Sequence, residues 1–242
     1  MKGLLNLGVS GWMIALLLVI GAGEAHAQSG SFTVSQNGHQ VGTASFQITP
    51  GTSGYDSTAT VKVSMQGLEY SLSKTEQQDT NHHLQHVVLS GIVNNSVVNV
   101  IARPDASNLL VNISAKGRSS TSRLPLHASA VLLPDFDPGA LQTLLLAAAA
   151  QNGRDLWVIL PKQAGSTQAV QFATFADEQG ALEGKAVAVH HLAATISGEE
   201  TDLFAGPDNQ LLQAELPQPG FALVRKGFVL TPPKRAPAPS NQ

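Results

Sequence analysis

The sequence predicts a mainly β protein: a strongly curved antiparallel sheet or half-barrel with one buried central helix. Three observations predict it. Asn37-Gly38 sits between two apolar-alternating runs, the strongest short hairpin signal, because a type I′ turn needs positive φ at both central positions. From Thr58 to Ser73 apolar and polar residues alternate with a period of two, as in strands with one wet face. A single stretch, Pro138 to Gln151, reads as a helix and is apolar on every side.

The elements follow in order. Phe32-Thr33-Val34 opens a strand, and the return strand runs from Val41 to Ile48 with Gly42, Ala44, Phe46 and Ile48 on one face. Pro50-Gly51 and Gly54 break it. In the next strand Ala59, Val61, Val63 and Met65 point one way, and Thr58, Thr60, Lys62 and Ser64 the other. Gln66-Gly67 turns the chain, after which Leu68, Tyr70 and Leu72 alternate with Glu69, Ser71 and Ser73. A slip of one residue there would turn every apolar group into water, so the register is well specified. Leu84–Ser90 and Ile92–Ile101 read as two strands around Gly91, and Leu109, Val111 and Ile113 as one more, ending near Lys116-Gly117.

Asp137 is placed to cap the helix and Pro138 fits its first position, while Gly153 can close its C-terminus. Leu141, Leu144, Leu145 and Leu146 leave only Gln142, Thr143 and Gln151 as polar groups. Two readings fit such a helix: a core element packed on the sheet, or a plug in an open half-barrel that moves when an apolar ligand enters. Beyond it, 156–160, 169–175, 185–196, 201–204, 211–216 and 221–230 read as strands, the last apolar on both faces. The end, 232–242, is a Pro/Ala-rich tail expected to be extended and unpacked.

Residues 1–27 read as a secretory signal: Lys2, an apolar centre at 13–20, then Ala25-His26-Ala27 as the cleavage pattern. An uncleaved anchor over Leu4 to Gly23 is the competing reading. The expected organisation is therefore a signal at 1–27, a single β-rich domain at 28–231 and the tail, exported to the periplasm or beyond, with no membrane span after cleavage. Charged residues are 13% of the chain and the net charge is -3, which argues against a nucleic-acid partner. Cysteine is absent, which removes disulfides and thiolate chemistry.

No catalytic motif emerges. There is no Gly-x-Ser-x-Gly elbow, phosphate-binding loop or His-Glu-x-x-His helix. Asp135 and Asp137 can be written as a carboxylate pair, but their place before Pro138 favours capping. His82, His83 and His86 form one histidine group and His190-His191 another. Read as a strand, the first group puts His82 and His86 about 13 Å apart, too far for one metal ion. Joining the two groups across strands gives a minor reading as a metal-assisted hydrolase. The sequence shows no ligand set for it, and no metal or cofactor is expected.

Three stretches carry a resemblance: 32–46 with its Asn37-Gly38 turn; Val158-Ile159-Leu160-Pro161; and 202–228, with Asp202-Leu203-Phe204, Asn209 to Pro217 and Phe221 to Phe228. Together they resemble an uncharacterised family of exported bacterial β domains, some of which precede a secreted α/β-hydrolase. That family is similar in outline to the curled-sheet lipoprotein carriers of the LolA/LolB type. The leading expectation is a non-enzymatic exported domain with a hydrophobic ligand, a lipid or acyl chain or a lipidated partner, in the groove of the sheet, because an unusually apolar helix lies beside strands with two apolar faces. Expected ligand contacts are Leu141, Leu144, Leu145, Phe221 and Phe228. Arg225 is read either as a cation at the groove mouth or as an edge-strand charge that blocks unwanted pairing. The alternative function is an envelope interaction or scaffold domain with a filled core.

Overall fold

The computed structural model describes residues 27–163 and 165–231; the expected signal up to residue 26 and the tail from residue 232 lie outside them. The first half is an unbroken meander: β1 (Gln28–Gln36), β2 (His39–Gly51), β3 (Gly54–Met65), β4 (Leu68–Gln78), β5 (Leu84–Val93), β6 (Ser96–Asp105), β7 (Asn108–Ala115) and β8 (Arg118–Pro125), each antiparallel to the next. Asn37 (φ 51°) and Gly38 (φ 78°) make the β1–β2 turn as the sequence predicts. One turn differs. β5 runs straight through Gly91, and the chain reverses at Asn94 (φ 47°) and Asn95 (φ 63°). Gly91 serves close approach instead, because a Cβ there would lie 2.5 Å from the Ser71 carbonyl oxygen on β4.

The second half comprises β9 (Ala130–Leu132), α1 (Pro138–Ala150), β10 (Trp157–Leu160), β11 (Ser166–Thr174), β12 (Glu178–Leu182), β13 (Lys185–Ile196), β14 (Glu199–Ala205), β15 (Leu211–Glu215), β16 (Phe221–Arg225) and β17 (Phe228–Thr231). The expected strand over 221–230 is thus two strands around Lys226-Gly227. β16 pairs with the free edge of β1 and carries the sheet on through β15, β14, β13, β11, β10 and β9. β12 and β17 branch from the first half of β13. All pairs are antiparallel except β9–β10, so the sheet is mixed and is not closed into a barrel. The exception has a cause: β9, α1 and β10 form a βαβ crossover, the connection that parallel neighbours require.

The sheet curls strongly. β9 touches β5, although they lie far apart on opposite sides of β1 in the strand order. At about 4.8 Å per strand, a flat sheet would hold them tens of ångströms apart. α1 lies inside the curl against β2, β3, β9 and β15. Its first turn sits hard on the sheet: a Cβ on Gly139 would stand 3.0 Å from Cβ of Phe46 and 3.2 Å from that of Ala59. Pro138 to Leu145 and Ala147 are buried, which is the core-helix reading of its apolar surface. Asp137 caps the start, accepting from the backbone N–H of Gly139 at 2.8 Å and of Ala140 at 3.2 Å. At the other end the N–H of Gly153 (φ 70°) reaches the Ala148 carbonyl. No helix among the described residues is long and apolar enough to cross a membrane.

Candidate functional site

The inner face of β4–β7 changes character along its length. Over one half it is closed: Val87, Val100, Ala102, Leu109 and Val111 are buried, and β9 touches β5. Toward the hairpin tips the same inner faces continue with Leu68, Tyr70, Val93, Val98, Ile113 and Ala115, which are only half-buried. Between this half and the segment Leu133–Phe136, with Phe221 and Pro161 at the sides, lies a cavity of about 680 Å³. Its walls are mostly apolar, and its size falls within the roughly 300–1,000 Å³ of small-molecule sites.

The rim is held by hydrogen bonds. Asn94, in the β5–β6 turn, accepts from the Glu69 N–H at 2.8 Å and donates to the Gly67 carbonyl at 3.3 Å, tying two hairpin tips together. On the facing wall the Asp135 carboxylate takes the Lys162 ammonium at 2.9 Å and the Gln218 amide at 3.3 Å. The Tyr70 hydroxyl donates to the Asp135 carbonyl at 3.1 Å, and its ring meets Phe136 edge-on, which in turn packs on Phe221. Burial above all, then the negative Asp135 and Asp137, pushes the Tyr70 phenol well above its ordinary pKa, so it stays a donor.

Behind this cavity the sequence reading missed a buried polar cluster. Lys74 lies 2.8 Å from Asp137 and 3.2 Å from Glu76, all three sealed from solvent. Gln78 donates to Glu76 at 2.7 Å and to Thr143 of α1 at 3.3 Å. Burial disfavours the ammonium, but the two carboxylates outweigh it, and the Lys74 pKa is raised. The signal was present: Lys74, Glu76 and Gln78 continue the parity of Leu68, Tyr70 and Leu72, so a strand extended to Gln78 must turn them inward. Asp137 therefore both caps the helix and pairs with Lys74, while Asp135 serves the rim; they do not act as one carboxylate pair.

The expected ligand contacts fall in different places. Phe221 lines the large cavity. Leu141 borders a small adjoining recess of about 70 Å³, beside Phe136 and Leu160. Leu144 and Leu145 are buried in the main core. Phe228 belongs to a second cluster with Val189, Phe204 and Leu212, where β12, β13 and β17 meet. Arg225 is also apart from the cavity. Its guanidinium donates to the carbonyls of Leu211 and Ser29 and stands 5.8 Å from the Phe32 ring centre. Desolvation lowers its pKa, against the pull of Glu183. The edge-strand reading of Arg225 is corrected, because β16 is paired on both sides.

His86 lies on β5 and His190-His191 on β13, as expected, but two histidines leave the expected strand. His82 and His83 sit in the β4–β5 turn, which Asp79 builds by accepting from the N–H groups of Asn81 and His83. The His83 ring pairs with Asp79 at 3.1 Å. His82 (φ 61°) stacks on Tyr55, and burial lowers its pKa. His190 pairs with Asp177. His191 lies between the rings of Phe175 and Phe204, with Glu178 at 3.3 Å and Asp202 at 2.8 Å on its two nitrogens. Among the described residues no group of three or more His, Asp or Glu is placed to hold a metal ion.

No known protein-family model, curated protein or solved structure matches the chain.

Proposed function

We propose that this protein is an exported, non-enzymatic binder of an elongated apolar ligand, an acyl chain or the lipid group of a partner, held in the cavity at the hairpin-tip end of the sheet. The observation that carries this reading is the change along β4–β7. One continuous apolar inner face is buried over half its length and left half-exposed over the rest. Apolar surface left facing water in an otherwise close-packed interior is the feature of a ligand site. The second wall, Leu133–Phe136, is short and is fastened at Asp135, so the cavity keeps its shape when empty.

The test is solvent extraction of protein purified from a bacterial envelope, followed by mass spectrometry. A near-stoichiometric apolar compound is expected, and a cavity-filling variant, Val98→Trp, should carry much less of it. A clean extract from folded protein would sink the reading.

A further inference from the structure

We propose that the ligand is an anionic amphiphile, a single acyl chain ending in a carboxylate or phosphate, whose head is held at the cavity rim by Lys116. This rests on the cavity reading above and adds the chemistry of the head group. Three charged side chains border the cavity: Lys116, Lys162 and Asp135. Lys162 and Asp135 neutralise each other at 2.9 Å. Lys116 is different. It lies in the β7–β8 turn with φ 51°, exposed, and among the described residues no carboxylate pairs with it. Glu69, at the same hairpin-tip end of the sheet, has the opposite parity to Leu68 and Tyr70 and is engaged by the Ser64 hydroxyl at 2.6 Å on the convex face. The rim thus keeps one cation uncompensated where an apolar cavity opens to water. A chain with a neutral end would gain nothing from it, whereas an anionic end would form a charge-assisted contact while the chain fills the apolar walls.

The experiment compares dodecanoate with dodecan-1-ol, each below its solubility limit, on purified protein freed of bound lipid and on Lys116→Glu. The acid should bind about tenfold more tightly than the alcohol, and the substitution should remove about that factor for the acid while leaving the alcohol unchanged. Lys116 is exposed and in a turn, so the variant keeps the fold; matching melting curves verify this. Equal binding of acid and alcohol, unaffected by the substitution, would overturn the head-group assignment and leave the cavity reading standing. If folded protein binds neither, both fall together.

Discussion

At the scale of single residues, Lys74 has the largest structural role relative to its visibility. Its ammonium answers two carboxylates, all three sealed from solvent. The surplus negative charge is met by the N-terminus of α1, where Asp137 accepts two backbone N–H groups and faces the positive end of the helix dipole. Replacing Lys74 by Met removes the cation and strands two buried carboxylates, so stability should fall by about 3–5 kcal/mol. Denaturant titration reads this directly. The double change Lys74→Met with Glu76→Leu should recover part of the loss, because one of the stranded charges goes with it. A loss under about 1 kcal/mol for the single variant would mean that the carboxylates take protons or water at little cost. This cluster was legible only in part. Asp137 as a cap follows from the Pro beside it. Its second role depends on β4 reaching Gln78, and three polar residues at inward positions look, in sequence, like the end of a strand.

At the scale of elements, α1 is held less by its own sequence than by what it touches. Its leucines fill the core, and buried polar side chains fix its position, Gln142 among them. Gln142 is fully buried; its amide donates to the Asn209 carbonyl at 2.9 Å and accepts from the Leu211 N–H at 2.8 Å. One side chain thereby satisfies a donor and an acceptor of the β14–β15 corner. Gln142→Leu keeps the volume but leaves both backbone groups unpaired, and each costs about 1–3 kcal/mol. Thermal unfolding should therefore drop well beyond what a conservative core exchange produces. Were the variant as stable as the parent, water would have to satisfy that corner. The helix itself was plain in the sequence, as were most of the meander strands, because period-two and all-round apolar patterns are local. β9 was not. Three apolar residues have no period, and the strand exists because the crossover through α1 returns the chain parallel to it. A strand over His82 and His83 is what period two alone suggests. The side chain of Asp79 instead turns the backbone before β5 begins.

At the scale of the whole molecule, the two halves of the inner face should differ in motion as well as exposure. Local opening is easiest where few apolar contacts hold a strand. Amides of β5–β7 near Val93, Val98 and Ile113 should exchange faster than those near Val87, Val100 and Val111 in the same strands, as read by hydrogen exchange. Uniform protection along each strand would mean that the ladder, not the packing, governs opening there. The sheet's polarity, one side wet and one side dry, could be read from the sequence strand by strand. Where along a strand the dry side loses its cover could not, because that depends on segments that come later in the chain, such as β9 against β5.

The strand that begins the described chain is also the seam of the sheet. β1 lies between β2, its immediate neighbour, and β16, and a bond from Arg225 to Ser29 joins residues 196 positions apart. Its first edge can zip as soon as one hairpin forms; its second must wait for nearly the whole sequence. Such long-range pairing is the slow part of folding. Until it happens, β1 offers an open row of N–H and C=O groups that any passing copy can match. Folding of the described sheet therefore ends at its first strand, and the meander from β1 stays adhesive until β16 arrives to cover it.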